Sequence, residues 1–481
     1  VPRAPATRDQ VDAYRYGLRR LEAALVRGDP VPLHEQIRSQ RRAALAGVLL
    51  GLVGLGAVAV YALVVPRPDW TRQVLVVGRA SGAMYVVAHD PDRLVPVANL
   101  AAGRLVLAGL NSGPGMETAV PVVVDDDDLA AAPRTATAAV PGAVAVRPEG
   151  PGIAPRWAVC DEVDTTARTR LIGTTVVAGA SGTPPEAAPG GDTGVLLAVP
   201  GGGTYAVVDG RRHRVDLEDR PVLAALGLAG RIPRPASPGL VSGIPEGPAL
   251  VTPAVPPGRA PAGVPGRVGD VLTTTVAGGA SRSYVVLPGG LQEVPPLAGQ
   301  VLAAAAGVAP AEVGAGVVAA APLVDELDLA GWPSGPARWS EPADAPVVCW
   351  TWAADAGSAP VTAVRAGTRV PAPAEAVTVA LAQADGPGAG TDAVVLPPGG
   401  GGAVRAVGSG RPVGGGTLWL VSATGVGYGV ADAASAGALG ITRADPAPEA
   451  ALRLLPTGPA LDLAQAALAV DVVQAPEPGG G

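Results

Sequence analysis

Residues 43–65, from Ala43 to Val65, form an unbroken, uncharged apolar run of 23 positions; no other stretch of the chain matches it. Coiled as a helix, such a run reaches roughly 34 Å at ~1.5 Å per residue, enough to cross a ~30 Å hydrocarbon core. Arg38, Arg41 and Arg42 stand before it, and the mixed stretch Pro66-Arg67-Pro68-Asp69 follows. The positive-inside rule keeps residues 1–42 in the cytoplasm and sends the C-terminal bulk across the membrane. A cleaved signal sequence is the alternative. Its apolar region runs ~7–15 residues before a small-residue cleavage site, and the run here is longer and follows 42 residues.

The residues before the span carry a punctuated helix pattern. Thr7-Arg8-Asp9-Gln10 matches a capping box, in which hydroxyl and amide side chains satisfy each other's backbone donors. Val11, Tyr14, Leu18, Leu21 and Leu25 follow at alternating spacings of three and four, an apolar seam on one face. Gly28-Asp29-Pro30 stops the helix, and a second one is predicted from near Pro32 through the Arg cluster into the membrane. Residues 1–42 hold no core to receive the seam. It must meet another protein or the membrane surface, and its regular spacing favours a partner helix. Inside the span, Gly47 and Gly51 fit a close-approach motif, but glycine is so common in this chain that coincidence explains them equally well.

Beyond the membrane a unit recurs: a strand opening on tyrosine, a turn, a second apolar stretch, then an Ala/Leu-rich helix. Tyr85, Tyr205 and Tyr284 begin three copies, leading to helices at residues 105–108, 222–228 and 301–306. Tyr428 marks a decayed fourth, with its helix placed at 450–455. Repetition of this kind predicts an array of small modules near residues 74–135, 195–235, 268–310 and 417–460. Residues 231–266 carry ten prolines and read as a connector without regular structure. Residues 397–416 are Gly-rich and read as a loop, and the tail 474–481 reads as disordered. The expected class is α+β: a cytoplasmic helical segment (1–42), one membrane helix (43–65) and a large β-rich extracytoplasmic domain of repeated α/β modules around a central core (66–473).

Composition adds three constraints. Phenylalanine and lysine are absent, so the core is built on Val, Leu and Ala and every basic charge is Arg, a bias that fits a GC-rich genome. Residues 1–42 hold nine Arg against five acids, leaving −11 on the remainder of a chain whose total is −7. An acidic exterior argues against nucleic acid, which attracts a basic stripe, whereas the positive cluster suits an anionic inner leaflet. Cys160 and Cys349 are the only cysteines, and in a translocated domain they read as one disulfide, with two buried thiols as the alternative.

Catalytic chemistry is sparse. His34, His89 and His213 lie far apart, so no zinc-ligand spacing exists, and no Gly-x-Ser-x-Gly elbow occurs. A Walker A loop requires a lysine that this chain lacks. Asp125 to Asp128 read as a solvated loop in preference to a Ca²⁺ site, because adjacent carboxylates on an extended strand point to opposite faces. Trp157, Trp350 and Trp352 flank the cysteines and are expected to pack around the disulfide, with a carbohydrate platform as the alternative. No catalytic, cofactor or metal residue is assigned.

Several blocks stand out together: Thr7-Arg8-Asp9-Gln10-Val11, Ser81-Gly82-Ala83-Met84-Tyr85, Trp157-Ala158-Val159-Cys160-Asp161 and Asp209-Gly210-Arg211-Arg212-His213-Arg214. They continue with Ile244-Pro245-Glu246-Gly247-Pro248, Thr424-Gly425-Val426-Gly427-Tyr428 and Leu455-Pro456-Thr457-Gly458-Pro459. In this order and over nearly the whole length, the chain resembles EccB, a membrane subunit of the type VII (ESX) secretion systems of actinobacteria. After Pro133-Arg134 it departs from the family's Gly-Pro-rich pattern. The resemblance implies assembly with EccC (the motor ATPase), EccD (the multispan subunit) and EccE, and an elongated domain of repeats around a core. Self-association into a homodimer or higher is expected, with membrane lipid as a further partner. The expected role is a non-catalytic scaffold. ATP hydrolysis, attributed to some of the family, and peptidoglycan binding by the outer modules remain the alternatives.

Overall fold

The structure is a computed structural model that describes residues 7–28, 34–64, 68–110, 119–138, 140, 143, 152–166, 168–180, 193–275, 279–335, 337–354, 359–373, 375–408 and 413–466. The chain divides into two compact units, residues up to Asp69 and residues from Trp70 onward. The first contains two helices among the described residues. Arg8–Arg27 opens with the Gln10 side-chain oxygen accepting from the Thr7 backbone N–H at 3.1 Å. It closes on Gly28, whose φ of 66° only glycine adopts without cost, with the Gly28 N–H donating to the Ala24 carbonyl. The second helix, His34–Val64, contains one segment long and apolar enough to cross a membrane, Gln40–Tyr61.

Among the described residues the second unit is built from four small sheets sharing one four-stranded topology around a six-stranded central sheet, and the second small sheet carries a fifth strand, Arg338–Trp339, parallel to its first. In each small sheet three strands meander antiparallel, a helix crosses over, and a fourth strand returns parallel to the first. The strands of the first module are Leu75–Gly78, Met84–Ala88, Arg93–Val97 and Val122–Val124, with helix Leu100–Leu110 as the crossover. The second uses Thr193–Val199, Gly203–Val208, Arg211–Val215 and Arg234–Pro235 around helix Arg220–Leu226. The third uses Val271–Thr275, Ser281–Leu287, Gly290–Val294 and Ala311–Glu312 around helix Pro296–Ala306. The turns follow local chemistry. Asp209-Gly210 joins two strands of the second module with positive φ at both residues, the geometry that matches a hairpin's right-handed twist.

The fourth module corrects the expectation. Its strands are Gly402–Val407, Leu418–Val421, Gly427–Gly429 and Asp445–Pro448, and its crossover helix is Ala433–Ala438, not residues 450–455. The Gly-rich stretch read as a loop therefore contains a first strand. Nor is the copy decayed. In the first strands Val76, Leu197, Leu272 and Val404 are equivalent: each pairs with one second-strand aromatic and one fourth-strand residue. Those aromatics are Tyr85, Tyr205, Tyr284 and Trp419, and the fourth-strand residues are Val122, Arg234, Ala311 and Asp445. Tyr428 lies one strand later, so aligning on tyrosine displaced the repeat.

Two further readings change. Within the proline-rich connector, Pro235 sits on a strand and Pro238 opens helix Pro238–Gly243, where its missing N–H costs no hydrogen bond. The aspartate run is a helix start. Asp125 precedes helix Asp126–Ala130, and the Asp126 carboxylate accepts from the Ala80 N–H at 2.7 Å and from the Ser81 hydroxyl, clamping the turn between the first two strands. Three bonds from that turn hold its carboxyl below the usual range, led by the Ser81 hydroxyl.

The cores do not follow chain order. One buried cluster joins the first module to the fourth, through Leu75, Val86 and Leu105 with Leu420, Tyr428 and Leu439. Another joins the second to the third, where Val222 and Leu226 pack with Val285, Leu297 and Val301. A third seats the central sheet against the second and fourth modules.

Candidate functional site

Each module ends in the same closure. After a second short helix the chain returns along the outer edge of the third strand, and a proline carbonyl accepts a backbone N–H there. The pairs are Leu94 to Pro133, Arg212 to Pro245, Leu291 to Pro322 and Gly427 to Pro456, at 2.8, 2.9, 2.8 and 2.9 Å. Two residues past each proline the backbone N–H returns the bond to the same strand residue: Thr135, Gly247, Val324 and Gly458. The aliphatic-proline pairs Ala132-Pro133, Ile244-Pro245, Ala321-Pro322 and Leu455-Pro456 stand at all four closures, but such pairs recur throughout this proline-rich chain and only the strand pairing singles these out.

The central sheet is ordered Val361–Gly367, Val347–Ala353, Arg156–Asp164, Arg170–Ala178, Ala393–Leu396, Val377–Ala380. Its second and third strands come from chain regions almost 200 residues apart, and their register sets Cys160 directly opposite Cys349. The two sulfurs are bonded, with Cα atoms 4.0 Å apart. Side chains alternate across a strand, so Trp157 and Val159 face one way while Ala158 and Cys160 face the other. The tryptophans therefore do not pack around the disulfide. Trp157, Trp350 and Trp352 fill the core beneath the second and fourth modules, and the disulfide lies on the opposite face with Val177, Val347 and Val395.

One buried carboxylate fastens the second module to this sheet. Asp161 accepts from the Ser237 N–H at 2.6 Å, the Ser237 hydroxyl at 2.8 Å and the Thr174 hydroxyl at 2.8 Å. Ser237 in turn caps helix Pro238–Gly243 through the Leu240 N–H. Burial pushes the Asp161 carboxyl up to about 6, against the lowering effect of those three bonds. Since the folded state holds its proton more tightly than the unfolded chain, Asp161 stabilises most below pH ~4, and that contribution is lost as pH rises toward about 6. Relative to Asp161→Asn, the native chain should lose at most about 3 kcal/mol across that window, at about 1.4 kcal/mol per pKa unit. Parallel thermal melts from pH 4 to pH 7 check it, and a flat difference refutes the assignment. His213 is held the other way: burial lowers it, and its Nδ1 lies 2.9 Å from the Pro248 carbonyl.

A cleft of about 1130 Å³ opens between the second module, the central sheet and the fourth module. Trp350 and Trp352 line it, with the pairs Arg212–Glu246 and Arg453–Glu449 among its polar groups. Among the described residues no three His, Cys, Asp or Glu side chains come together as a metal site. The seam residues Val11, Tyr14, Leu18, Leu21 and Leu25 share helix Arg8–Arg27 and are all exposed, Leu25 at 84 %. Arg41 and Arg42 are exposed on helix His34–Val64; Arg38 lies on the same helix, but its side chain, like the tail 474–481, is outside the described residues.

A membrane-length helix followed by a disulfide-braced frame of repeated β modules defines a single-span protein with a large outer domain. The chain belongs to the family described as "Type VII secretion system ESX-1, transport TM domain B", which matches residues 3–475. It is 32 % identical over 438 residues to the "ESX-3 secretion system ATPase EccB3" of Mycobacterium tuberculosis, covering 87 % of this chain and 79 % of that one. It is 33 % identical over 369 residues to "ESX-5 secretion system ATPase EccB5" of Mycobacterium marinum, covering 73 % and 70 %. Its fold is similar to a chain of an intact ESX-5 inner membrane complex, with TM-score 0.69, 31 % identity and coverage of 99 % and 98 %. It is also similar to the EccB3 dimer from the ESX-3 core complex, with TM-score 0.67, 28 % identity and coverage of 82 % and 100 %. The chain is a single-pass membrane protein, with its N-terminal helix cytoplasmic and its β-rich domain on the periplasmic side.

Proposed function

We propose that this protein is a non-catalytic structural subunit of an ESX inner-membrane complex, a frame that holds the export machinery across the bilayer. The observation that carries this reading is likeness over almost the full length of both chains to a subunit of an intact ESX-5 complex. The outer domain pairs with a second copy of itself, in keeping with the dimeric EccB3 assembly. Within the complex, the Val11–Leu25 seam docks on cytoplasmic parts of EccC, EccD or EccE. Five apolar side chains exposed on one helix face support this, since water disfavours such a stripe unless a partner covers it. Arg38, Arg41 and Arg42 meet anionic headgroups at the inner leaflet. Leu18→Asp with Leu21→Asp is expected to eject the subunit from the affinity-purified complex while leaving its own melting point unchanged. Full retention refutes the seam.

The word ATPase in the relatives' names raises a second reading. A phosphate cradle of the Walker type needs a lysine to reach the β- and γ-phosphates, and this chain has none. ATP turnover by the purified chain, free of motor subunit, would restore the enzymatic reading.

A further inference from the structure

The central sheet has an open edge that the scaffold reading leaves unused. Strand Val361–Gly367 pairs on one side with Val347–Ala353, and among the described residues nothing pairs with its other side. Soluble proteins usually blunt such edges with prolines, bulges, lysines or short length. This one runs seven residues, contains no proline and carries a single charge, Arg365. Its unpaired backbone donors and acceptors call for another extended chain.

The two faces of the strand specify that chain. Register sets Thr362 beside Trp352 and Val364 beside Trp350, so one face borders the tryptophan-lined cleft, of which Thr362 is part of the wall. The Trp350 indole N–H there is buried without an acceptor among the described residues. On the other face, Arg365 lies beside Cys349, and its Nε is buried with no acceptor among the described residues. The strand itself holds no acid. A second copy fits poorly: antiparallel pairing about Val364 would bring two Arg365 side chains to one face as diagonal neighbours, with no carboxylate between them.

We propose that Val361–Gly367 takes up an extended segment of a partner protein by strand addition, the segment alternating apolar residues toward the tryptophan cleft with acidic residues toward Arg365. Main-chain bonds supply affinity and the alternate side chains supply selectivity. A carboxylate facing Arg365 completes a charge-assisted hydrogen bond.

The test uses the full chain in detergent and a fluorescein-labelled peptide, Thr-Val-Asp-Val-Glu-Val-Thr, followed by fluorescence anisotropy. Saturable binding is expected, weakened roughly tenfold by Arg365→Glu, the size of one charge-assisted bond. The charge-reversed peptide, Thr-Val-Arg-Val-Arg-Val-Thr, should recover binding to Arg365→Glu, which also shows that the variant is folded. N-methylation along the bonding edge of the acidic peptide should abolish its binding. Absence of saturable binding overturns the proposal, as does equal affinity for both Arg365 forms or tolerance of N-methylation. A dimer that Ala363→Pro dissociates would show a second copy at this edge and overturn it too.

Discussion

Loss of the Cys160–Cys349 bond is expected to lower the stability of the outer domain by up to about 5 kcal/mol. The bond closes a loop of 189 residues, so the oxidised unfolded chain is held far more compactly than the reduced one. The two cysteines stand on neighbouring central strands, so the constraint joins the first half of the domain to the second at its middle. Cys160→Ala with Cys349→Ala also leaves a small cavity among Val177, Val347 and Val395. Chemical denaturation with and without reductant measures the effect. The native midpoint should fall on reduction to that of the double variant, which reductant should not move. A native midpoint indifferent to reductant refutes the brace.

The second large effect is expected at Gly458, where the closure of the fourth module passes over the Tyr428 ring. A Cβ at Gly458 would sit inside the contact distance of that ring, which is only 2 % exposed and has no room to withdraw. Gly458→Val should cost about 3 kcal/mol or more, at the upper end of overpacking penalties. Gly429→Ala meets nothing within 4 Å and serves as the control, expected to be neutral or slightly stabilising because alanine loses less chain entropy in a strand than glycine. Hydrogen exchange should place the loosening in the first and fourth modules together, because Tyr428 belongs to the core they share. The second module repeats the arrangement, with Gly247 passing over the His213 ring. Gly247→Val should therefore loosen the second module and spare the first. Uniform loosening from either variant would refute independent closures.

Parallel equivalence of the four modules explains why these positions matter. Each sheet is short, with two edges to cover, and cannot bury a core alone. Proline-carbonyl closure covers the outer edge of the third strand at every copy, and the shared cores cover the faces. In the Ile244-Pro245-Glu246-Gly247-Pro248 and Leu455-Pro456-Thr457-Gly458-Pro459 blocks, proline fixes the backbone whose carbonyl accepts the edge N–H. Glycine supplies the clearance over the ring. Both blocks stood in the sequence as points of family resemblance, yet their common role emerged only from the strand pairing.

Local chemistry alone determined a good deal of this protein. Continuous apolarity at residues 43–65 dictated the membrane crossing, because an uncharged helix of that length has no cheaper place to lie. Spacings of three and four laid Val11 to Leu25 on one face, and short Val-rich runs broken by glycine specified the hairpins. What tertiary structure decided was everything that depends on distant segments meeting. The pairing of first with fourth and second with third modules left no mark on spacing, since hydrophobic contact is non-directional and many pairings bury similar surface. The register that faces Cys160 with Cys349 sent the tryptophans to the opposite side, because strand side chains alternate and one residue reverses the face. The fourth module's true start was hidden by a tryptophan where the others have tyrosine. Backbone pairing recovers that equivalence because hydrogen bonds follow position along the strand and are indifferent to the side chain carried there.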